Sequence, residues 1–220
     1  ATNHILFFEG LNLTTPINAS IIMLVVPILV LLFSNMLLNE VITKNKITGI
    51  LIGLSGAGLL ILSGGSLSFT SSTFTGNLLV FINAAAFGFY LVLVKPMMVK
   101  YKALTVMKWV FLFGFIYVFP LCIGPFMQTD FSVIPLRFWF SLLYVVAGTT
   151  ILAYLLFNYS LKHVSPVVSS IYMYSQPVIA SLTAVSIGMD MLIWQQGIAA
   201  ILVFTGVYFV SIRKSRPIRK

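Results

Sequence analysis

Residues 15–40 read TPINASIIMLVVPILVLLFSNMLLNE, and residues 165–190 read SPVVSSIYMYSQPVIASLTAVSIGMD. In both stretches two prolines stand 11 residues apart, an acidic residue follows the second proline by 13 positions, and two glycines nine residues apart come next. The matching residues are Pro16 and Pro27 with Pro166 and Pro177, Glu40 with Asp190, and Gly49 and Gly58 with Gly197 and Gly206. The offset is 150 residues and falls to 148 at the glycines, so the chain contains an internal repeat.

Both copies of the repeat lie in a strongly apolar chain. Of its 220 residues, 60% are hydrophobic and 8% are charged, against about 45–50% and about 25% in soluble domains. This composition excludes a water-soluble domain. Uncharged runs longer than the roughly 18 residues of a membrane helix predict an all-α membrane protein, a polytopic helical bundle. The expected spans are a partial helix at 1–13 and full helices near 17–38, 46–63, 76–95, 104–124, 137–161, 165–187 and 192–212.

The positive charges indicate how these spans are oriented. The net charge is +9. If the C-terminus is cytoplasmic, 12 of the 13 Lys and Arg residues fall inside and only Arg137 falls outside, as the positive-inside rule favours. We therefore expect a multi-pass protein of the bacterial inner (plasma) membrane with a basic cytoplasmic tail at 213–220. Topology explains the charges, so no nucleic-acid partner is expected.

On this charge map the first proline stretch runs from outside to inside and the second runs from inside to outside. We therefore predict two inverted five-helix repeats. Inverted repeats are typical of secondary transporters, because two halves of opposite direction can open a midplane site alternately to each side. The expected organisation is the C-terminal part of the first repeat at 1–63, an external loop at 64–75 and the second repeat at 76–212. The offset leaves room for about 75 residues before Ala1, so we expect an N-terminally truncated first repeat.

Several short motifs resemble a known family. They are Leu38-Asn39-Glu40 after the two prolines, Gly188-Met189-Asp190 in the second copy, and Ala84-Ala85-Ala86-Phe87-Gly88-Phe89-Tyr90 after Gly76. Together they resemble the EamA-type branch of the drug/metabolite transporter (DMT) superfamily over the whole chain. The family usually has Gly-Glu where the second copy has Met189-Asp190. The resemblance implies a ten-helix fold and the transport of small organic solutes, including amino acids.

Polar side chains within three spans are the candidate solute contacts. They are Asn83 and Tyr90 in one span, Tyr154 and Asn158 in another, and Tyr172 and Gln176 in a third. The last two pairs are spaced i, i+4 and so would share a helix face. The alternative is that the amides only join neighbouring helices and the tyrosines lie in the interface belt.

Glu9 and two prolines complete the candidate site. Glu9 is the only carboxylate within an expected span, and an acid inside the membrane suggests proton transfer or binding of a substrate amine. Hydration of Glu9 at the external interface is the alternative. Pro27 and Pro177 lie inside spans, where a proline frees a carbonyl and kinks the helix. They are candidate hinges, or else fixed kinks required for packing.

Two further features have structural interpretations. Small residues at Gly49, Gly53 and Ala57 suit close helix packing in lipid. Lys95 stands before Pro96 at the expected cytoplasmic end of its span. We interpret it as a lysine that reaches the interface and sets orientation, with attraction of an anionic group as the alternative.

The function predicted is a secondary transporter, and more specifically an exporter, of small organic metabolites such as amino acids. It would work by alternating access and would be open to proton coupling, with a small solute and the lipid bilayer as partners. The alternatives are an intramembrane enzyme acting on a lipid or lipid-linked substrate, and a non-transporting scaffold; a homodimer is left open. Four acids, two histidines and the single Cys122 form no catalytic or metal-binding motif. We therefore expect no enzyme activity, metal or cofactor.

Overall fold

A computed structural model describes residues 2–63, 71–128, 134–188 and 194–212 of the chain. The described residues form helices and no β-strand. Within them, six helical stretches are long and apolar enough to cross a membrane. This confirms the expected all-α polytopic membrane protein, since a helix satisfies its backbone polar groups within one segment. The six stretches are Pro16–Leu38, Lys44–Leu62, Thr73–Lys100, Ala103–Gly124, Leu136–Ser160 and Trp194–Ser211.

Three of the expected spans are interrupted or change helix type, as the helix bounds show. In chain order the elements are α1 (Thr2–Asn12), α2 (Pro16–Met23), α3 (Val26–Leu38), α4 (Lys44–Ser63), α5 (Ser71–Lys100), α6 (Ala103–Gln128), α7 (Leu136–Leu143), a π-helix (Tyr144–Leu152), α8 (Ala153–Ser160), α9 (Pro166–Ile171), a 3₁₀ turn (Tyr172–Tyr174), α10 (Ser175–Ser186) and α11 (Trp194–Ser211). The expected span 17–38 comprises α2 and α3, and the expected span 137–161 comprises α7, the π-helix and α8. The expected span 165–187 comprises α9, the 3₁₀ turn and α10, and it is not one of the six apolar stretches. Its centre is Tyr-Met-Tyr-Ser-Gln, which lowers its hydropathy.

The helix α5 is longer than the expected span 76–95, because it begins at Ser71 and continues to Lys100. Gly76 lies inside this helix and not at its start. A Cβ at Gly76 would stand 2.6 Å from the carbonyl oxygen of Leu13 and 2.8 Å from that of Gly10. The glycine therefore permits close backbone contact between α1 and α5. Residues 64–70 of the expected loop, Asp190 and the tail 213–220 lie outside the described residues.

The chain divides into two compact units. The described residues of the smaller unit fall within 94–165, and those of the larger unit fall within 2–93 and 166–212. Asn83, Tyr90, Tyr172, Gln176 and Glu9 belong to the larger unit. Tyr154 and Asn158 belong to the smaller one.

In the larger unit, α4 and α11 pack through glycines. A Cβ at Gly49 would lie 2.6 Å from the carbonyl oxygen of Gly206, and a Cβ at Gly206 would lie 2.6 Å from the amide nitrogen of Gly53. Gly56 is equally close to the backbone of α11, because a Cβ at Gly56 would lie 2.9 Å from the carbonyl oxygen of Ala199. Small residues thus bring the two backbones together, as is common for helices associating in lipid. The contacts at Gly49 and Gly53 agree with the prediction that small residues of this helix serve close packing.

The ends of α2 and α3 follow from local sequence. Thr15 is the N-cap of α2, with the amide of Asn18 donating to its hydroxyl at 3.2 Å, and Pro16 occupies the first turn, where its missing N–H costs nothing. Asn39 ends α3 in the left-handed conformation, with φ of 52°, which asparagine tolerates better than most residues. Beyond it, the Glu40 carboxylate pairs with Lys46 at 2.6 Å.

In the smaller unit, α6 packs on α8 and a lysine holds the end of α8. The ring of Phe111 in α6 lies 6.2 Å from that of Tyr154 in α8. The Lys95 ammonium donates to the carbonyl oxygens of Leu161 and of Val164, the latter at 2.8 Å. These carbonyls follow the C-terminus of α8, where the helix dipole favours a cation.

Candidate functional site

The first proline stretch is broken between α2 and α3, at Leu24 and Val25. Pro27, the second residue of α3, has no N–H to donate to the preceding turn. The amide of Ile28 donates to the carbonyl oxygen of Val25 at 3.0 Å. In a regular α-helix that amide would donate to Leu24 instead. The break therefore leaves the Leu24 carbonyl oxygen available to a donor outside its own helix.

The second proline stretch is also broken, at the 3₁₀ turn Tyr172–Tyr174. Pro177 follows three residues later, as the third residue of α10. A 3₁₀ stretch in the middle of a helix often marks a functional hinge. The two prolines thus lie within one turn of an observed break, and their role as hinges stays a prediction.

Tyr174 connects the two breaks, and sequence reasoning did not select it. Its hydroxyl donates to the carbonyl oxygen of Leu24 at 2.7 Å, and its side chain is 1% exposed. The ring lies against α4, because a Cβ at Gly53 would stand 2.6 Å from its Cδ2 atom. Tyr174 is the repeat counterpart of Leu24, since the two are 150 residues apart. The repeat offset pairs the two positions, but it does not indicate that they are in contact.

Asn83 lies beside the first break. Its side chain is 1% exposed, and its amide nitrogen donates to the sulfur of Met23 at 3.3 Å. Its side-chain oxygen Oδ1 is buried with no hydrogen-bond partner among the described residues. The side chain of Asn3 donates to the backbone oxygen of Asn83 at 3.1 Å and so joins α1 to α5. Asn83 therefore presents an unused acceptor inside the larger unit.

Several buried polar atoms of the larger unit share this property. Burying a polar atom without a partner costs free energy, so such atoms in a native protein require an explanation. Those with no protein partner among the described residues are Ser34 Oγ, Asn83 Oδ1, Ser169 Oγ, Ser175 Oγ and Gln195 Oε1. Ser175 directly follows Tyr174 at the second break. The interior of this unit thus offers hydrogen-bonding groups that the fold itself leaves unused.

The other candidates in the larger unit are less buried than Asn83. Tyr90 is half-buried and stacks on Phe87, with ring centroids 6.4 Å apart. Glu9, Tyr172 and Gln176 are exposed. The helix changes from 3₁₀ to α between Tyr172 and Gln176, so their i, i+4 spacing does not fall within one continuous α-helix.

In the smaller unit, the predicted pair Tyr154 and Asn158 meets through the backbone. Asn158 is fully buried, and its side-chain amide donates to the carbonyl oxygen of Tyr154 at 2.8 Å. Such a bond satisfies the amide one turn back along its own helix. The Tyr154 ring is half-buried against Phe111.

A second polar cluster was missed from the sequence because its members are far apart in the chain. The hydroxyl of Thr14 donates to the Asn77 side-chain oxygen at 2.5 Å. The buried Asn18 amide donates to the Thr14 hydroxyl at 3.3 Å and lies 3.5 Å from the same Asn77 oxygen. These bonds join the start of α2 to α5 and satisfy one another, so the cluster stabilises the packing of these helices.

A cavity of about 70 Å³ opens among the described residues of the larger unit. Its walls are mostly apolar and include Leu60, Val178 and Gln196. Pockets that bind small ligands usually measure about 300–1,000 Å³, and none of the predicted contacts line this one. We therefore do not assign the solute to it. Among the described residues, no three His, Cys, Asp or Glu side chains group as metal ligands.

Residues 1–62 and 74–212 match the EamA-like transporter family. The chain belongs to this family. The predicted resemblance to the drug/metabolite transporter superfamily is therefore confirmed, and so is the expectation of a transporter and not an enzyme.

Relatives of this EamA-family chain carry transporter names. It is 26% identical over 208 residues to the "Uncharacterized transporter YyaM" of Bacillus subtilis (strain 168), covering 94% of the chain and 68% of that protein. It is 27% identical to the "Uncharacterized transporter YetK" of the same organism, covering 94% of the chain and 63% of the relative. The chain thus spans about two thirds of the length of these relatives.

Two more comparisons extend this picture. The chain is 25% identical over 166 residues to the "Probable terminal-alkyne amino-acid exporter" of Streptantibioticus cattleyicolor, covering 76% of the chain and 54% of the relative. A solved structure described as "Crystal structure of protein" matches with a TM-score of 0.80 at 22% identity. The match covers 95% of this chain and 71% of the solved one. This likeness establishes the fold alone.

Proposed function

We propose that this EamA-family protein is a secondary transporter that exports amino acids or related small metabolites across the bacterial inner membrane. The observation that carries the proposal is the pair of broken helices at Leu24–Val25 and Tyr172–Tyr174. Irregular backbone at membrane depth is tolerated where it is buried in protein or lines a cavity. Transporters use such broken helices to form solute sites near the midplane.

The first proposed solute contact, Asn83, lies beside the first break. Asn83 Oδ1 is a buried acceptor without a protein partner and suits an N–H donor such as an amino group. Tyr90, Tyr172 and Gln176 belong to the same unit and add polar groups that would orient the solute. Tyr154 and Asn158 belong to the smaller unit and stay sequence predictions.

The amino-acid class is supported by two observations. One relative is named as an amino-acid exporter. In addition, an amino acid carries both an ammonium donor for Asn83 Oδ1 and a carboxylate that can accept from hydroxyl and amide donors. Glu9 is the candidate proton acceptor, since export against a concentration gradient needs a coupled ion.

We propose alternating access as the mechanism, with Pro27 and Pro177 as hinges. Each proline weakens the helix next to a break, so the two halves of each broken helix can change angle at low cost. The C-terminus is proposed to be cytoplasmic. In support, Lys95 donates to the carbonyls of Leu161 and Val164, and Lys162 lies between these two residues in the sequence. The contact supports a position on the same side of the membrane for Lys95 and Lys162.

Efflux from proteoliposomes tests the function. Full-length protein would be reconstituted with an internal mixture of ¹³C-labelled amino acids, and the external solution would be followed by mass spectrometry. We expect selective release of a few amino acids over protein-free liposomes. Equal release from both preparations, with folded protein verified and at several pH values, would contradict the proposal.

A further inference from the structure

The hydrogen bond between Tyr174 and Leu24 lies where both proline stretches are broken. The Leu24 carbonyl is freed because Ile28 donates to Val25, and the donor that satisfies it is a side chain of the other proline stretch. Both groups stand at breaks. The bond therefore joins the two discontinuities directly.

The environment of Tyr174 fixes the bond. The side chain is 1% exposed, and Gly53 provides the space in which the ring lies against α4. With the ring held there, the hydroxyl has little freedom to find another acceptor. A buried carbonyl that lost this donor would be costly.

The positions of the two residues add a second argument. Leu24 and Tyr174 are equivalent in the internal repeat, because their numbers differ by its offset of 150. In a two-fold arrangement of repeats, equivalent residues meet only next to the axis that relates them. Movement about such an axis changes distances least at the axis itself, so a bond placed there can persist while the helix ends move.

From these observations we infer that Tyr174 is a positioning residue that locks the two breaks together, so that both broken helices bend as one unit during transport. The expected effect on transport rests on the proposed function, whereas the coupling of the two breaks rests on the observed hydrogen bond. Losing the hydroxyl would let each break open alone. Solute would still bind, but the change of access would be slower.

Two variants test this inference. Tyr174→Phe removes the hydroxyl and keeps the ring against Gly53. Tyr208→Phe makes the same chemical change on α11, where the side chain is 65% exposed, and serves as the matched control. In nanodiscs, hydrogen exchange of peptides covering 21–30 and 170–178 should be about five- to tenfold faster for Tyr174→Phe, the factor expected for one lost hydrogen bond. The control should match wild type.

Efflux measurements distinguish coupling of the two breaks from a general loss of stability. With the labelled amino-acid mixture, Tyr174→Phe should lower the maximal efflux rate about fivefold and leave the half-saturating concentration unchanged. Unchanged exchange in both peptides would overturn the inference, whether or not the wild type transports. Faster exchange with an unchanged efflux rate, in a wild type that transports, would also overturn it. A wild type without efflux would contradict the proposed function, and the exchange arm would still decide whether the bond joins the breaks.

Pro27→Ala supplies a further check, including the case in which Tyr174→Phe does not fold. Alanine restores an N–H at position 27 and lets the amide of Ile28 return to the Leu24 carbonyl. In the Pro27→Ala background, Tyr174→Phe should then change exchange by less than about twofold. A full effect of Tyr174→Phe in that background, or a double variant that also fails to fold, would contradict the proposed partner of the hydroxyl.

Discussion

At the scale of single residues, Asn83 is buried and has a side-chain oxygen without a partner among the described residues. Its effect on stability and its effect on solute binding can therefore be measured separately. The Oδ1 atom of Asn83 has no partner among the described residues and its amide nitrogen donates only to the weak thioether acceptor of Met23, so an apolar side chain of similar size should cost little stability. We expect Asn83→Leu to change the thermal midpoint little and to raise the half-saturating amino-acid concentration about tenfold or more. Asn12→Leu, at an exposed position ending α1, is the control. Lower stability with unchanged efflux would show that Asn83 only supports packing.

Glu9 gives a second prediction at this scale. If this carboxylate carries the coupled proton, Glu9→Gln should remove the dependence of efflux on an imposed pH gradient, because glutamine cannot exchange a proton. Glu40→Gln is the matched control, since Glu40 is held in an ion pair with Lys46. Efflux of both variants would be measured with and without the gradient. A Glu9→Gln protein that keeps its full response to the gradient would exclude this role.

The sequence could identify some residues of the site and not others, for physical reasons. The breaks near Pro27 and Pro177 were predictable, since a missing proline N–H acts within one turn of helix, and the hinge role of the two prolines stays a prediction. Tyr174 was not selected, because a tyrosine in an apolar helix says nothing about which carbonyl it will reach. The contact of Asn18 with Asn77 depends on two helices far apart in the chain, and local patterns do not encode it.

At the scale of helices, the contact between α4 and α11 makes a sharp prediction. The three atoms nearest to a Cβ at Gly206 would be backbone atoms, including the Gly49 oxygen at 2.5 Å and the Gly53 nitrogen at 2.6 Å, so side-chain movement cannot relieve these contacts. Gly206→Ala should therefore destabilise the protein by about 1–3 kcal/mol. Gly197→Ala, on the same helix with no atom within 4 Å, should be neutral or stabilising by up to about 1 kcal/mol.

Thermal unfolding in detergent, followed by tryptophan fluorescence, measures both glycine variants. A lower midpoint for Gly206→Ala alone would establish the close approach of the two helices. Equal midpoints for both variants would mean that α4 and α11 stand further apart than described.

Most helices were predictable from their uncharged apolar runs, and the bounds differ where polar residues act locally. The start of α5 at Ser71 was missed because Gly76 resembles a loop residue, whereas its use is close contact with the carbonyls of Leu13 and Gly10. The 3₁₀ turn Tyr172–Tyr174 could not be read from periodicity, since three residues are too few to show a period.

At the scale of the whole molecule, the orientation in the membrane follows from charge and stays a prediction. In a background with Cys122→Ser, we would introduce Lys102→Cys between α5 and α6, and Arg137→Cys in α7, both at exposed positions. Because Lys and Arg favour the cytoplasmic side, a membrane-impermeant maleimide should label Arg137→Cys in intact cells and Lys102→Cys only after lysis. The opposite labelling would reverse the topology. It would also place Lys95 and the carbonyls that it contacts on the external side of the membrane. The ends of the broken helices that are proposed to open toward the cytoplasm would then open toward the outside.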